Sequence, residues 1–107
     1  MTTYPLTAMT GGWFIGDFQP SVLQTSNCEV GIKTHRRGAR WPTHFHALCT
    51  EINVLLHGRM TVNGRRMEPG TIFVVEPGEV IRPRFVENCE LAVIKIPGLR
   101  GDKHVVR

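Results

Sequence analysis

Short segments rich in β-branched and aromatic residues recur along the chain, and residues typical of turns separate them. Within most segments apolar and polar positions alternate, which is the period of a half-buried strand rather than of a helix. This rhythm favours an all-β sandwich or barrel over repeated strand-helix-strand units. We predict strands at residues 13–18, 28–34, 43–46, 51–56, 59–62, 65–67, 72–75, 80–86 and 91–96.

Turn residues punctuate the second half of the chain most clearly. The dipeptide Asn63-Gly64 lies between two predicted strands, and both of its residues tolerate the positive φ that a type I′ turn requires. A tight hairpin is therefore predicted there. The Glu-Pro-Gly tripeptides at 68–70 and 76–78 also predict turns, because Pro presets φ and Gly takes the left-handed position.

Two histidines and one glutamate lie at a spacing that suits metal coordination. In a strand, residues two apart project from the same face, so His44 and His46 point the same way. A short connection leads to a returning strand that places Glu51 opposite the pair, within reach of an ion bound at roughly 2.0–2.2 Å. Such a ligand set suits Mn, Fe, Zn or Ni and leaves coordination positions open. The simpler alternative is that all three are partly exposed strand residues.

The same residues belong to a longer pattern, G-x5-H-x-H-x4-E-x6-G, which begins at Gly38 and ends at Gly58. A shuffled chain of this composition contains it in roughly one case in 10⁴. The pattern is the first motif of the cupin superfamily, which the chain resembles over residues 30–95. The resemblance implies a double-stranded β-helix, or jelly-roll barrel, with a divalent metal held inside by the two histidines and the glutamate.

The second cupin motif, G-x5-P-x-G-x2-H-x3-N, is only partly present. Gly70 and Gly78 match it, whereas the Pro, His and Asn positions are taken by Glu76, Ile81 and Phe85. The fourth metal ligand of the superfamily is therefore missing. A three-ligand site binds its metal less tightly, so a weakly occupied or empty site is an alternative. Without metal, the remaining ligands would still form a coupled titratable group suited to proton transfer.

Four residues are candidates for substrate binding. Asn53 shares a strand face with Glu51, so it is expected in the pocket. Lys33 and His35 hold alternate positions in a basic cluster with the arginines at 36, 37 and 40, and such a cluster could hold a carboxylate or phosphate. Solvated charge is the usual role of a cluster of this kind. Phe85 falls on the inward face of the strand that carries the position of the missing ligand.

Three further residues have weaker functional interpretations. Trp41 could offer a stacking surface to a ring, although a tryptophan that packs over a barrel end is more frequent. His57 is on the same face as Glu51 but about 20 Å along the strand, too far to ligate the same ion. Arg82 points outward unless the strand slips by one residue, which would turn it into the cavity as an anion-binding group.

Length and composition indicate one domain. The 107 residues, 41% hydrophobic and 21% charged, support a modest core and argue against disorder. We divide the chain into an N-terminal arm (1–12), a barrel (13–96) and a C-terminal tail (97–107), because periodicity is lost at both ends. No segment remains for a fused helix-turn-helix reader. The net charge of +4 could steer anionic metabolites and is weak evidence for nucleic acid, so no nucleic-acid partner is expected.

The cysteine pattern and the hydropathy bear on location and assembly. Cys28, Cys49 and Cys89 form no C-x-x-C pair, and no charged-then-apolar leader precedes Trp13, so we expect a reducing cytoplasm. No apolar run approaches the roughly 18 residues needed to cross a bilayer, and no membrane partner is expected. Edge strands and the resemblance to cupins favour a homodimer, with residues 13–15 as candidates for strand exchange.

Two functional hypotheses follow from the motif. In the first, the protein is an enzyme that uses the metal site on a small anionic or sugar-derived metabolite, as an isomerase, epimerase or lyase more than as a dioxygenase. In the second, it is a non-catalytic binding or assembly module whose metal site has degenerated, which the isoleucine at the fourth ligand position favours. Because cupins carry many activities, the resemblance alone does not choose between them.

Overall fold

A computed structural model describes residues 1–106, which form ten β-strands and one short 3₁₀ turn at Leu6–Ala8. In chain order the strands are β1 (Trp13–Ile15), β2 (Glu29–His35), β3 (His44–His46), β4 (Thr50–His57), β5 (Met60–Val62), β6 (Arg65–Met67), β7 (Ile72–Val75), β8 (Pro83–Phe85), β9 (Cys89–Ile96) and β10 (Lys103–Val105). Residues 1–106 include no helix with the length and apolarity that crossing a membrane requires.

The strands assemble into two facing antiparallel layers. The first layer is a five-stranded sheet with the order β1-β2-β9-β4-β7. The second contains a three-stranded sheet, β6-β5-β8, and a two-stranded sheet, β10-β3. Backbone hydrogen bonds of 3.0 and 2.8 Å between His44 and Ile81 connect these two parts. The prediction of an all-β fold is confirmed.

Alternation along β4 and β9 separates the interior from the outside. On β4, Glu51, Asn53 and Leu55 are buried, while the residues between them face the outer side of the sheet. On β9 every second residue from Cys89 to Val93 is buried in the same way. The apolar members of these faces meet the second layer in one core, which comprises Leu55, Met60, Val62, Met67, Val75, Ile81, Phe85, Cys89, Leu91 and Val93.

The predicted hairpin forms between β5 and β6. Asn63 and Gly64 have φ values of 52° and 79°, as the type I′ turn requires. The Asn63 side chain also accepts a hydrogen bond of 2.7 Å from the backbone N–H of Arg82 and donates one of 3.0 Å to the carbonyl of Val80. The hairpin is therefore tied to the segment that leads into β8.

Most predicted strands form with small shifts at their ends, and two are shorter than expected. The segment predicted at 13–18 ends as a strand at Ile15, where the register with β2 is irregular. The segment predicted at 80–86 is a strand only over Pro83–Phe85. Just before it, Ile81 bonds to β3 instead of continuing the ladder with β5, so this stretch joins two sheets.

The C-terminal segment, expected as a tail from residue 97, contributes β10 to the second layer. Lys103 pairs with His46 and Val105 with His44 in antiparallel register. Just before β10, the buried carboxylate of Asp102 accepts hydrogen bonds of 3.0–3.2 Å from the backbone N–H groups of residues 47–49. This set of bonds fixes both the loop after β3 and the start of β10.

The Asp102 carboxylate is held in its charged form. Burial alone would raise its pKa, but hydrogen bonds from the backbone of Cys49, Leu48 and Ala47 and from the Cys49 thiol outweigh burial, so the pKa is lowered. Because the pKa is lower in the folded than in the unfolded chain, this contribution to stability is present above about pH 4. It is lost as the pH falls through the folded-state pKa.

We predict that Asp102→Asn lowers the free energy of unfolding by about 1–3 kcal/mol at pH 7, because charge-assisted hydrogen bonds are weakened. Urea unfolding measures the loss, and the difference from the wild type should shrink at about pH 3. Asp17→Asn is the matched control, since Asp17 accepts only one exposed side-chain bond, from Gln24. A loss in Asp17→Asn as large as that in Asp102→Asn would contradict the role assigned to Asp102.

Candidate metal centre and its cavity

A cavity of about 80 Å³ lies between the two layers. Exposed side chains of Trp41 and Lys103 border its mouth. The volume gives room for about six water-sized groups, so it suits a small molecule. Its wall is mostly apolar, and its polar or titratable side chains are Lys33, His35, His44, His46, Glu51, Asn53, Lys95 and Lys103.

His44 is held in one defined tautomer. The side chain is 3% exposed, and its Nδ1 lies 2.7 Å from the backbone carbonyl oxygen of Pro42. Because a carbonyl oxygen can only accept, Nδ1 carries the proton and donates this bond. The lone pair of the neutral ring is then on Nε2. A backbone carbonyl that fixes the ring in this way is typical of histidines that bind metals.

His46 and Glu51 face each other in the interior. His46 is 2% exposed, and its Nδ1 lies 3.4 Å from Glu51 Oε2. Neither ring nitrogen of His46 has a hydrogen-bond partner within residues 1–106. The other oxygen of Glu51, Oε1, accepts a bond of 3.0 Å from Asn53 Nδ2. A buried imidazole without partners is unusual, because buried polar groups normally find one.

Burial keeps both imidazoles neutral. It is the main reason that the pKa values of His44 and His46 lie below the ordinary histidine value. The carboxylate of Glu51 opposes this shift at both rings, while the ammonium of Lys95 adds to it. Near neutral pH both rings are therefore in the unprotonated form that metal binding requires.

The donor set suits a divalent transition metal in chemistry but is not gathered around one point. The ring centroids of His44 and His46 are 5.4 Å apart, with planes at 84°. Among residues 1–106, no three His, Cys, Asp or Glu side chains form a group that could hold a metal ion as placed. The unpartnered nitrogens of His46 and the free Nε2 of His44 are nonetheless the atoms that an ion would use.

The four candidate substrate-binding residues all line the cavity. Asn53 lies beside Glu51, and Lys33, His35 and Phe85 complete the surrounding wall. The rings of His35 and Phe85 are stacked, with centroids 4.2 Å apart. The structure therefore shows these four residues on the inward faces that alternation predicted. Their roles in substrate binding stay predictions.

The other basic candidates lie outside the cavity. The arginines at 36, 37 and 40 are exposed, as are His57 and Arg82. None of these five side chains lines the cavity wall. Ile81, Pro83 and Phe85 are buried, so this strand has not slipped by one residue, and the interpretation that turned Arg82 inward is wrong.

Sequence reasoning missed several residues of the cavity wall, among them Lys95, Trp13 and Lys103. Lys95 continues the inward alternation of Leu91 and Val93, so the period of β9 could have revealed it. Trp13 lies on β1 and also lines the cavity. Lys103 carried no signal, because it reaches the cavity only through the pairing of β10 with β3.

Comparisons with known proteins support the fold. No protein-family model and no curated protein matches the chain. An uncharacterized conserved protein with a double-stranded beta-helix domain from Klebsiella pneumoniae is similar, with a TM-score of 0.70 and 20% identity over 80% of each chain. DMSP lyase DddQ from Ruegeria pomeroyi has a TM-score of 0.69 and 19% identity, covering 88% of this chain and 49% of the lyase.

Oxalate decarboxylase from Bacillus subtilis is also similar, with a TM-score of 0.65 and 16% identity over 76% of this chain and 24% of the enzyme. This chain thus spans about half the length of the lyase and about a quarter of the decarboxylase. At such identities the likeness shows the fold alone. It confirms the double-stranded β-helix that the resemblance to the cupin superfamily implied.

Ile81 occupies the position of the missing fourth ligand. It is 6% exposed, lines the cavity and pairs directly with His44 through the backbone. Side chains of directly paired residues lie side by side on one face of a sheet. A histidine at position 81 would therefore add an imidazole next to the existing pair.

We predict that Ile81→His tightens the binding of Mn, Fe(II), Zn or Ni by about tenfold or more, because it supplies a fourth ligand. Calorimetric titration into metal-free protein measures the change. Met67→His is the matched control, since Met67 is similarly buried but pairs with Met60 in the core and does not line the cavity. Equal or weaker affinity in Ile81→His than in the wild type would contradict this assignment.

Proposed function

We propose that the protein is a metal-dependent enzyme with a cupin fold that acts on a small anionic or sugar-derived metabolite. His44, His46 and Glu51 are the proposed metal ligands. One observation carries the proposal. Two buried neutral imidazoles, His44 and His46, share a small cavity with the buried carboxylate of Glu51, and neither ring nitrogen of His46 has a hydrogen-bond partner within residues 1–106. A fold stabilised only by packing has no need of such a group.

The residues around the ligands prepare them for this task. When bound, a divalent ion such as Mn, Fe, Zn or Ni would polarise a substrate oxygen or activate water. The Pro42 carbonyl orients His44, and Asn53 orients the Glu51 carboxylate. Lys33, His35, Asn53 and Phe85 are the proposed contacts for the substrate in the cavity wall.

The arrangement suits proton transfer better than redox chemistry. In the metal-free form, His46 Nδ1 and Glu51 Oε2, 3.4 Å apart, can exchange a proton with a substrate in the cavity, so such a reaction does not depend on a redox metal. We therefore favour an isomerase, epimerase or lyase over a dioxygenase. Proteins of similar fold include a lyase and a decarboxylase by name, but also oxalate oxidase, so the fold itself does not choose the reaction.

A non-catalytic binding or assembly module is the second candidate function. Two observations favour it. Ile81 replaces the fourth ligand, and the three remaining donors do not surround a common point. In this case the cavity would hold a small ligand without metal, and substitution of the three donors would leave function intact.

We expect freshly purified protein to contain a divalent transition metal by elemental analysis. The metal-free form should bind Mn, Fe(II), Zn or Ni with a Kd on the order of 1 μM or below by calorimetry. His46→Ala and Glu51→Ala should weaken this binding by about a hundredfold or more, because each removes one of three ligands. Loss of activity should accompany the loss of metal.

His57→Ala is the matched control for these variants, since His57 is exposed at the end of β4 and lies outside the cavity. It should bind metal as the wild type does. Metal binding that survives in both His46→Ala and Glu51→Ala would contradict the assignment of these residues as metal ligands. Function that persists in these variants after metal is lost would support the non-catalytic module instead.

We also propose that two copies of the chain form a homodimer through the outer face of the five-stranded sheet. Two apolar rows cross four strands there, Val30-Ile94-Ile52-Val74 and Ile32-Ala92-Val54-Ile72. On the edge strand β7, Ile72 is 64% and Val74 is 49% exposed. A second sheet packed on this face would cover them. We favour this face over exchange of residues 13–15, because Trp13 faces the cavity.

We predict that the double variant Ile72→Lys, Val74→Lys is monomeric, because two buried charges in the interface would be unpaired. Sedimentation velocity and light scattering give the mass. Val86→Lys is the matched control, since Val86 is 52% exposed but lies outside the two apolar rows. A wild type that is monomeric at micromolar concentration, or a double variant that remains dimeric, would overturn the proposed interface.

The cysteines support a reducing compartment, and we propose the cytoplasm. Cys28, Cys49 and Cys89 are all free thiols. Burial raises the pKa of the Cys49 thiol to about 12, and burial also raises that of Cys89. Neither buried thiol is suited to oxidation or to nucleophilic chemistry.

A further inference from the structure

Lysine is distributed unevenly in this protein. The chain has only three lysines, Lys33, Lys95 and Lys103, and all three line the cavity that contains the candidate metal ligands. They come from β2, β9 and β10, which belong to two different sheets. None of the nine arginines within residues 1–106 lines this cavity. The fold thus places every lysine side chain on the wall of one cavity.

Two tryptophans hold the ammonium groups in position. The Nζ atoms of Lys33 and Lys95 lie 5.2 and 4.9 Å from the centre of the same Trp13 ring, so they are at most about 10 Å apart. Lys33 also donates a hydrogen bond to the carbonyl of Gly11. Lys103 Nζ lies 4.1 Å from the centre of the Trp41 ring at the mouth.

Within residues 1–106, these cations form no ion pair with a carboxylate. Among the described residues, Glu51 is the only carboxylate in the cavity wall, and its oxygens are directed at His46 and Asn53. Burial, and after it the neighbouring Lys95, lower the pKa of both Lys33 and Lys103, and the Glu51 carboxylate only partly opposes this at Lys103.

The size of the cavity limits what an anion there can be. About six water-sized groups fit, so a sugar phosphate or nucleotide is too large to enter whole. Aromatic and aliphatic side chains, among them Trp13, Phe73 and Val93, form the rest of the wall. A short carbon chain that bears carboxylate groups matches both the apolar wall and the cationic mouth.

We infer that Lys33, Lys95 and Lys103 form an anion-binding triad, and that the ligand of the cavity is a small carboxylic acid of about three or four carbons. The inference rests on the proposed function in assigning this ligand to the same cavity as His44, His46 and Glu51. It adds to the proposed function by naming the side chains that bind the substrate and the chemical class of that substrate. One carboxylate lies among the ammonium groups, and the rest of the molecule extends toward the histidines.

Asp102 is a positioning residue for this triad. Its carboxylate bonds to the backbone of residues 47–49 and so anchors the chain immediately before Lys103. The pairing of β10 with β3 then places Lys103 directly opposite His46. The C-terminal segment thus completes the anion site.

Calorimetric titration with malonate, at low salt and in the presence of a chelator, tests the inference on the metal-free protein. Malonate should bind the wild type, and Lys95→Gln and Lys103→Gln should each weaken it by about tenfold or more. Arg84→Gln is the matched control, since it removes the same charge from an exposed position on β8 and should change the affinity less than about twofold. Malonamide, which has the same shape without charge, should not bind.

A second measurement does not depend on the choice of carboxylate. Removal of one ammonium group relieves the repulsion between the lysines, so the melting temperature of Lys95→Gln should equal or exceed that of the wild type. The melting temperature of Arg84→Gln should not rise. If inorganic phosphate binds more tightly than malonate, the triad is a phosphate site, and the inference that its ligand is a carboxylic acid is overturned. Malonate affinity unchanged in both lysine variants would overturn the triad itself.

The outcomes separate this inference from the proposed function. If malonate binds through the lysines while no metal binds at His46, the triad stands and the metal-dependent enzyme fails. If metal binds and is lost in His46→Ala while neither malonate nor phosphate binds, the metal site stands and the triad fails.

Discussion

The alternation of β4 is the constraint on which both the core and the candidate site depend. Glu51, Asn53 and Leu55 share one face, and pairing with β7 on one side and β9 on the other holds that face toward the interior. A slip of one residue would turn all three outward and bring Ile52 and Val54 inside. Leu55 is fully buried in the core, so its packing resists the slip. The apolar half of the strand thus holds the polar half in place.

The interior of the barrel is divided along this strand into a packed half and a polar half. Around Leu55 the side chains are apolar and fill the space between the layers. Around Glu51 a cavity replaces the close packing, and polar side chains interrupt a wall that is otherwise mostly apolar. Asn53 and Glu51 satisfy each other with a hydrogen bond of 3.0 Å, but the ring nitrogens of His46 have no such partner. Buried polar groups without partners are typical of functional sites, and within residues 1–106 the buried side-chain nitrogens and oxygens without a partner are the two ring nitrogens of His46.

Features that depend on neighbours in sequence were predictable, and features that depend on distant pairing were not. The period of two placed Asn53, Lys33 and Phe85 on inward faces, and the structure shows them in the cavity wall. Asp102 and the strand that follows it were missed, because they join β3 across about 55 residues and the segment has no apolar period. The same period of two, applied to the strand predicted at 91–96, also gives Lys95 an inward position, but sequence reasoning did not draw this conclusion. The sequence alone shows that position 81 carries no metal ligand. How the three remaining donors lie relative to one another follows only from the three-dimensional structure.

The separation of lysines from arginines has a physical basis in the size of the cavity. A guanidinium is planar and broad and needs several acceptors, whereas an ammonium is compact and its donors rotate. In about 80 Å³, three guanidinium groups would leave no room for a ligand. The lysine charges and the charge of an ion at His44 and His46 repel each other until an anion lies between them, so each of the two ligands should raise the affinity of the other. Because Ile81 supplies no fourth ligand, an ion held by His44, His46 and Glu51 would keep a coordination position for an oxygen of the anion, which would strengthen this coupling.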